Sequence, residues 1–284
     1  EGSEVSERMK KIGRFTDEFH IIVSVHAGPI LARKISPNTY AYSVRSSSKI
    51  TGLFEAYRLG KEILRHAKNR DAFCITSQDA FTNIPALMLK RAFKVPLEVQ
   101  IHTDFLSPFF RRESLKNYVR SMLYLYSAKR ASSVRVVSER IKRSLSEKMP
   151  GVKERIYVLP VFVDIQKMRS IPETIDLHKK YSQFDFIILM ASRLTKEKNI
   201  RLAVEAFSPV AKKYPKSLLL IVGSGPEKNS IESRIHGLGL SDNVVLEASV
   251  PFGVLVSYYK SADIFLISSD YEGYGRTILE AVVC

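Results

Sequence analysis

The sequence predicts an α/β fold made of two doubly wound, Rossmann-like parallel-sheet domains. Short apolar runs rich in β-branched and aromatic residues alternate with amphipathic segments of helix length, a pattern typical of parallel strands joined by crossover helices. This series starts twice, at 19–25 and at 184–191, on either side of a proline-punctuated stretch at 160–172. The chain has 284 residues, of which 45 % are hydrophobic, so it can bury two cores.

The elements follow in order along each half. Strands are predicted in the first half at 19–25, 72–76, 97–101, 133–137 and 155–159, with helical segments at 53–68, 85–93, 115–126 and 138–148. In the second half, strands are predicted at 184–191, 217–222, 244–246 and 263–267, with helices at 199–213, 231–238 and from about 275 onward. We expect domains at 1–167 and 168–284. We also expect the first to be truncated at its start and the second at its end.

Composition narrows the class of protein. The net charge of +15, from 44 basic and 29 acidic residues, favours anionic partners. No apolar run approaches the ~20 residues of a membrane-spanning helix, and no secretory signal is present, so a cytoplasmic protein is expected. The two cysteines form no disulfide or zinc pattern, and the six histidines show no metal-binding spacing, so no metal is expected.

The basic residues concentrate at 111–148, with 11 basic against 3 acidic residues. Apolar residues recur there at helical spacing and form one stripe on a basic helix. The stripe consists of Leu115, Val119, Met122, Leu123 and Tyr126. One interpretation is a packed helix with a solvated basic face. The alternative is a helix that docks peripherally on anionic lipid at the inner face of a membrane.

Three loops that follow predicted strands in the second half carry candidate site residues. Arg193 and Lys198 lie in the first, where they could neutralise a diphosphate, although a basic loop can also be simply solvated. The second contains Gly223 and Gly225, whose missing side chains would let a ligand approach the backbone. Lys228 stands where a dinucleotide fingerprint needs a third glycine, which argues against a nicotinamide site.

The third loop, 268–275, leads into a helix. Free amides at a helix N-terminus favour anions, which makes Gly275, Arg276 and Thr277 candidates for holding phosphate oxygens. Glu280 is expected in the first helical turn or soon after. Its charge would repel a diphosphate, so a functional role requires a neutral hydroxyl partner such as a ribose, whereas a structural role would be to stabilise the helix start.

These motifs together resemble glycosyltransferase family 4, of GT-B fold. The resemblance rests on Arg193 with Lys198, on GSGPE at 223–227 and on YKSAD at 259–263. Its most specific part is Glu272 with Glu280 eight residues later, inside EGYGRTILE. In the first half, VQIHTDF at 99–105, RVVSE at 135–139 and PVFVD at 160–164 also resemble that family.

The resemblance implies an enzyme that transfers a hexose from a UDP- or GDP-sugar to a lipid-linked or saccharide acceptor, with retained anomeric configuration and without metal or other cofactor. By the same resemblance Arg193 and Lys198 stabilise the leaving diphosphate, and Glu272 and His102 contact the sugar. Glu280 binds the ribose hydroxyls, while the base lies on backbone and apolar groups near Val250.

The sequence departs from the family pattern in two respects, and two other functions are alternatives to glycosyl transfer. The family's Gly-rich loop after the first strand and its closing helices are missing from the sequence. A nonhydrolysing sugar-nucleotide epimerase of similar fold is one alternative, although we identify no extra acid and base residues for it. A basic nucleic-acid or membrane-surface protein without catalysis is another. The basic residues are not interleaved with aromatic stacking platforms, so no nucleic-acid partner is expected.

Overall fold

The computed structural model describes residues 4–25, 32–45, 48–67 and 72–284. They form two compact units, which we describe separately. The first contains 1–101, 118–136 and 142–158, and the second contains 102–117, 137–141 and 159–284. The predicted domains at 1–167 and 168–284 stay a prediction.

The strands of the first unit are β1 (Phe19–Val25), β2 (Ala32–Ser36), β3 (Thr39–Arg45), β4 (Ile75–Ser77), β5 (Leu97–Ile101), β6 (Ser133–Val136) and β7 (Ile156–Val158). Those of the second are β8 (Phe186–Ala191), β9 (Ser217–Val222), β10 (Val244–Glu247) and β11 (Ile264–Phe265). Most coincide with predicted strands to within two or three residues, because continuous apolar runs are the signature of buried parallel strands.

The helices, in chain order, are α1 (Glu4–Gly13), α2 (Lys49–His66), α3 (Asn83–Phe93), α4 (Pro108–Glu113), α5 (Leu115–Arg130), α6 (Glu139–Lys148), α7 (Ile165–Ser170), α8 (Leu177–Lys180), α9 (Ile200–Lys213), α10 (Lys228–Gly237), α11 (Phe252–Ser261) and α12 (Arg276–Val283). Helix α7 lies in the stretch expected to be only a connection, where the side chain of Asp164 accepts a hydrogen bond from the Lys167 amide and caps it. No helix in the described ranges combines the length and apolar character that crossing a membrane requires.

The first unit contains two sheets. Strands β4, β5, β6 and β7 lie side by side in that order, all parallel. The other sheet has the order β1, β3, β2, with β1 parallel and β2 antiparallel to β3. The expectation of purely parallel strands is therefore wrong at this hairpin. Only Pro37 and Asn38 separate its two strands, and a two-residue connection can join only antiparallel neighbours.

The second unit has one parallel sheet of order β10, β9, β8, β11. Every residue of the central strand β9 is buried, because its side chains alternate between two apolar clusters. Leu219 and Ile221 belong to one cluster, and Leu218 and Leu220 to the other. Since all four strands point the same way, the loops after their carboxyl ends emerge at one edge of the sheet.

The apolar stripe of helix α5 is not its packed side. Val119, Met122 and Tyr126 are 40 %, 49 % and 51 % exposed, whereas Ser121 and Ala128 are fully buried. The packed-helix interpretation is therefore wrong for the stripe, although the helix itself is packed through its opposite face. That face buries Ser121, Tyr124, Ser127 and Ala128 against the rest of the first unit.

Candidate functional site

Loops after β8, β9 and β11 meet at the carboxyl edge of the second unit's sheet. The amide of Leu194 donates to the carbonyl of Ser224 at 3.0 Å, and the amide of Glu227 donates to the carbonyl of Leu194 at 3.0 Å. The amide of Asp270 donates to the carbonyl of Glu197 at 2.9 Å. The three predicted site loops are thus one hydrogen-bonded assembly, with the loop after β8 in the middle.

Gly223 and Gly225 are required by the neighbouring loop. A β-carbon on Gly223 would stand 1.9 Å from the carbonyl oxygen of Ser192, and one on Gly225 would stand 2.3 Å from that of Leu194. Both distances are far below van der Waals contact. From the sequence, these glycines are expected to let a ligand approach closely. In the structure, close approach of another backbone segment is already sufficient to demand them.

Lys198 and Glu272 are brought together although 74 positions separate them. Lys198 Nζ lies 2.6 Å from Glu272 Oε1, and the Ser269 hydroxyl donates to the same oxygen at 2.8 Å. The Lys198 side chain is only 14 % exposed. A half-buried ion pair with an added hydroxyl holds both side chains in one geometry, so a cation is presented at the sheet edge in a set position.

Arg193 is placed differently from Lys198. Its side chain is 74 % exposed, and its guanidinium donates to Glu197 Oε1 at 3.0 Å. The two cations predicted to act together therefore differ in exposure, with Lys198 anchored in an ion pair and Arg193 extended into solvent. An exposed arginine can reorient toward an incoming phosphate at little free-energy cost, because surface ion pairs such as Arg193–Glu197 contribute little.

Helix α12 begins where the sequence placed it. Gly275 is its N-cap and has a φ of 75°, a left-handed conformation that glycine adopts without strain. The amides of Arg276 and Thr277 follow in the first turn, which contains no acidic residue. The helix N-terminus is therefore free of competing side-chain carboxylates from its own first turn, as anion binding requires.

Glu280 lies one turn further into α12 and is buried. Its Oε1 pairs with Arg276 Nε at 2.7 Å, and its Oε2 accepts from the Tyr259 hydroxyl at 3.3 Å. Burial, together with the neighbouring Glu280 carboxylate, raises the pKa of Tyr259, so that hydroxyl stays a hydrogen-bond donor at neutral pH. The suggestion that Glu280 merely stabilises the first helical turn does not fit, because it stands beyond that turn.

His102 lies beside the loop that carries Glu272. A β-carbon on Gly273 would stand 1.8 Å from the His102 carbonyl oxygen, so only glycine allows this approach. His102 is half-buried and belongs to the same compact unit as Glu272. The structure thus places the predicted histidine against the backbone of the predicted site loop, and its imidazole role stays a prediction.

Arg140 is a residue that sequence reasoning missed. Its guanidinium donates to the buried carboxylate of Asp104 and to the carbonyl oxygen of Glu272. Tyr271 extends the same contact, since its hydroxyl donates to Glu113 at 2.6 Å and its ring meets Phe110 edge-on. Arg140 directly follows the RVVSE motif, and Asp104 lies inside VQIHTDF. Both family-like motifs therefore lie at this contact, although neither motif identified Arg140 or Asp104 as a site residue.

Two further polar contacts join the loops after β8 and β11. Asn199, at a φ of 45°, donates from its side chain to Asp270 at 2.9 Å, and the Ser268 hydroxyl donates to the Lys198 carbonyl at 2.8 Å. Val250 lies near the same edge and packs against an apolar cluster that contains Val222. Among the residues that the structure describes, no three His, Cys, Asp or Glu side chains are grouped to hold a metal ion.

The architecture has close counterparts among solved structures. Sucrose-phosphate synthase from Thermosynechococcus elongatus superposes with a TM-score of 0.76 over 99 % of this chain and 73 % of that one, at 16 % identity. The Anabaena protein HepE, solved with UDP and glucose, superposes with a TM-score of 0.68 over 94 % of this chain and 79 % of that one, at 17 % identity. The fold is the predicted GT-B α/β fold.

The sequence comparisons identify the family. The model described as "Glycosyltransferase Family 4" matches residues 16–167, and that described as "Glycosyl transferases group 1" matches 175–284. Because the first covers more than half of the chain, the chain belongs to glycosyltransferase family 4.

A named relative is the alpha-monoglucosyldiacylglycerol synthase of Streptococcus pneumoniae, 27 % identical over 80 % of this chain and 53 % of its own length. The chain spans about half the length of the curated relatives it matches, with coverages of 50 %, 53 % and 52 % for three of them. The epimerase and non-catalytic alternatives gain no support from these comparisons.

Proposed function

We propose that this chain is the donor-binding part of a glycosyltransferase that takes a hexose from a UDP- or GDP-sugar, with retention and without metal. The observation that carries the proposal is the anchored Lys198–Glu272 pair beside the start of helix α12, which puts a positioned cation near the first-turn amides of that helix at the sheet edge. This combination is suited to a leaving diphosphate, whose charge grows as the bond to the sugar breaks.

Each predicted residue has a task in this reaction. Arg193 and Lys198, with the amides of 275–277, stabilise the departing diphosphate, while Glu272 and His102 orient the sugar. Glu280 accepts hydrogen bonds from the ribose hydroxyls, and the base rests on backbone and apolar groups near Val250. Arg140 holds the loop of Glu272 through the carbonyl oxygen of that residue, so we add it as a positioning residue.

The chemical step breaks the bond between the anomeric carbon and the diphosphate oxygen. The new bond to the acceptor oxygen forms on the same face of the sugar, and the acceptor proton passes to the leaving diphosphate. No protein nucleophile is needed, because the leaving group itself serves as base. Catalysis is then electrostatic, and removing one preorganised donor from such a site commonly costs about 10²–10³ in rate.

Donor and acceptor are suggested by the comparisons. HepE was solved with UDP and glucose, which favours a UDP-hexose. The Streptococcus pneumoniae relative is named for a glycosylated diacylglycerol, which favours an acceptor that carries a lipid. A saccharide acceptor stays the second choice.

Thermal unfolding with UDP, GDP and ADP tests the donor site. A nucleotide at 100 times its dissociation constant adds about 2.7 kcal/mol to stability, which a melt resolves. We expect a shift with one nucleotide that is lost in Arg193→Ala/Lys198→Ala. The matched control is Arg201→Ala/Lys212→Ala, which removes two exposed cations from α9 in the same unit. A cooperative melt with no shift from any nucleotide, or an equal loss in the control, would overturn the proposal.

A further inference from the structure

Helices α3 and α5 present an exposed surface on the first unit that is apolar in its centre and basic at its edge. The apolar residues are Ile84, Met88, Val119, Met122 and Tyr126, each between 38 % and 51 % exposed. The basic residues are Lys90, Arg91, Lys94, Lys129 and Arg130. We call this surface the apolar–basic face. None of its residues takes part in the proposed donor site.

The apolar–basic face has a set shape, because α3 and α5 are tied together. The buried side-chain amide of Asn83 donates to the Ser127 hydroxyl at 2.9 Å, and Lys90 Nζ donates to the Arg130 carbonyl at 2.7 Å. A groove of about 470 Å³ lies between the helices and is lined by residues of both, including Met88 and Tyr126. The two apolar stripes are thus held side by side as one surface.

Charge on this face is of one sign. Neither α3 nor α5 contains an aspartate or glutamate, whereas each has a pair of basic residues in its last turn. The guanidinium of Arg130 lies 3.8 Å over the ring of Tyr126, so cationic and aromatic groups occupy the same edge. Arg91, Lys94 and Lys129 are exposed. A partner must therefore combine negative charge with an apolar interior.

We propose that the apolar–basic face docks on an anionic lipid bilayer. Methionine, valine and isoleucine side chains would enter the acyl boundary, tyrosine would sit at headgroup level, and the lysine and arginine head groups would contact lipid phosphates. A second copy of this chain is a poorer occupant, since two faces of the same charge repel each other. Nucleic acid is also poorer, since its backbone offers nothing apolar to cover Met88, Met122 and Val119.

This docking goes beyond glycosyl transfer and does not depend on it. A surface-docked enzyme would meet an acceptor embedded in the bilayer without extracting it, while its donor arrives from solution. Within the basic segment 111–148, the structure limits the candidate membrane-binding residues to one face of helix α5. Helix α3 supplies the rest of the surface, and the sequence analysis did not connect α3 with that segment.

Co-sedimentation of the 284-residue chain with vesicles tests the proposal. The vesicles are phosphatidylcholine alone, or phosphatidylcholine mixed with an equal amount of phosphatidylglycerol. We expect binding to the anionic vesicles only, weakened by raising the salt concentration. Arg91→Gln/Lys129→Gln should bind about twenty-fivefold more weakly, since each basic residue near an anionic surface gains about fivefold in affinity. Met122→Ser/Tyr126→Ser should bind on the order of tenfold more weakly, through lost apolar burial.

The matched control is Arg201→Gln/Leu202→Ser on α9 of the second unit, where both residues are exposed. It should bind vesicles like the unaltered chain. Met88→Ser is the second apolar variant, and circular dichroism melts establish that each variant is folded. No binding to anionic vesicles would overturn the proposal. So would full binding by both apolar variants, self-association through this face in sedimentation velocity, or equal loss in the control. The nucleotide-induced melting shift should be unchanged in all these variants, which separates this proposal from the donor site.

Discussion

Lys198 Nζ lies 2.6 Å from Glu272 Oε1, and this pair joins the loop after β8 to the loop before α12. Both side chains are mostly buried, so each neutralises the other where water is scarce. Removing only one partner should leave an uncompensated charge. The pair is therefore both a structural link between two loops and the cation of the proposed donor site.

Lys198→Met should lower the free energy of unfolding by about 1–3 kcal/mol, because Glu272 loses its charged partner. Lys198→Met/Glu272→Gln should regain most of that stability but not the nucleotide-induced melting shift. Urea unfolding and nucleotide melts measure the two quantities separately. Equal stability of the single variant and the unaltered chain would contradict the importance of this pair.

Gly225→Ala should destabilise the second unit by roughly 1–3 kcal/mol, because the added methyl group would overlap the Leu194 carbonyl. Gly253→Ala is the matched control. Its β-carbon would meet no atom within 4 Å, and it lies in the first turn of helix α11, where alanine is favoured by less than the roughly 0.5–1 kcal/mol of a helix interior. Denaturant unfolding should therefore give opposite signs for the two alanine variants. The same sign for both would argue against the backbone contact.

Arg140→Ala should loosen the loop that carries Glu272, because that loop loses the guanidinium bound to the Glu272 carbonyl. Hydrogen exchange should accelerate in the amides of residues 271–274. Arg143→Ala, an exposed arginine three residues further along α6, is the control and should leave those amides unchanged. Unaltered hydrogen exchange of these amides in Arg140→Ala would show that Arg140 does not position the loop.

Glu280→Gln should reduce discrimination between UDP and 2′-deoxy-UDP, if uridine proves to be the base. A carboxylate that accepts from ribose hydroxyls loses one hydrogen bond with the deoxy nucleotide, worth about 1.5–3 kcal/mol when the acceptor is charged. Isothermal titration of both nucleotides measures the difference. Discrimination that persists in full after the substitution would assign the ribose contact to another residue and leave Glu280 with Arg276 and Tyr259 only.

Glu247 should make the second unit acid-sensitive. Burial by itself raises its pKa, but hydrogen bonds from Lys180, Tyr181 and Tyr258 outweigh burial and hold the pKa below its usual value. A lowered pKa in the folded state means stabilisation that is present above the ordinary glutamate range near 4.3 and is lost as the pH falls through the folded value.

Glu247→Gln should therefore cost about 1–3 kcal/mol at neutral pH and much less near pH 3. Urea unfolding at both pH values measures this. Glu232→Gln, whose exposed carboxylate pairs with Lys228 at 3.7 Å, is the control and should change little at either pH. A pH-independent difference between Glu247→Gln and the unaltered chain would contradict the assignment.

Much of the fold was predictable because local composition decides it. The strand at 217–222 was predicted with its observed ends, since a continuous apolar run can only be a strand buried on both faces here. The hairpin of β2 and β3 and helix α11 were missed. Polar residues interrupt the hairpin's pattern, and helix α11 is so apolar that its periodicity is weak.

The candidate site was predictable only as a set of loops. Predicted parallel strands imply that the loops 193–199 and 268–275 emerge at one edge of the sheet, so the general location of the site followed from the sequence. That Lys198 pairs with Glu272, and that Arg140 reaches the Glu272 carbonyl from 132 positions away, did not follow. Sequence spacing carries no information on which side chains meet across such distances.

The sequence by itself determined the fold class, the family and the loops that carry the candidate residues, because apolar periodicity and short motifs are local properties. Only the tertiary structure decided which contacts those residues make and which face of α5 is buried. The packed face of α5 contains Ser121, Tyr124 and Ala128, while the apolar stripe is exposed. The reason is physical: close helix packing depends on the shape of the facing surface as well as on hydrophobicity, and that shape exists only once the chain has folded.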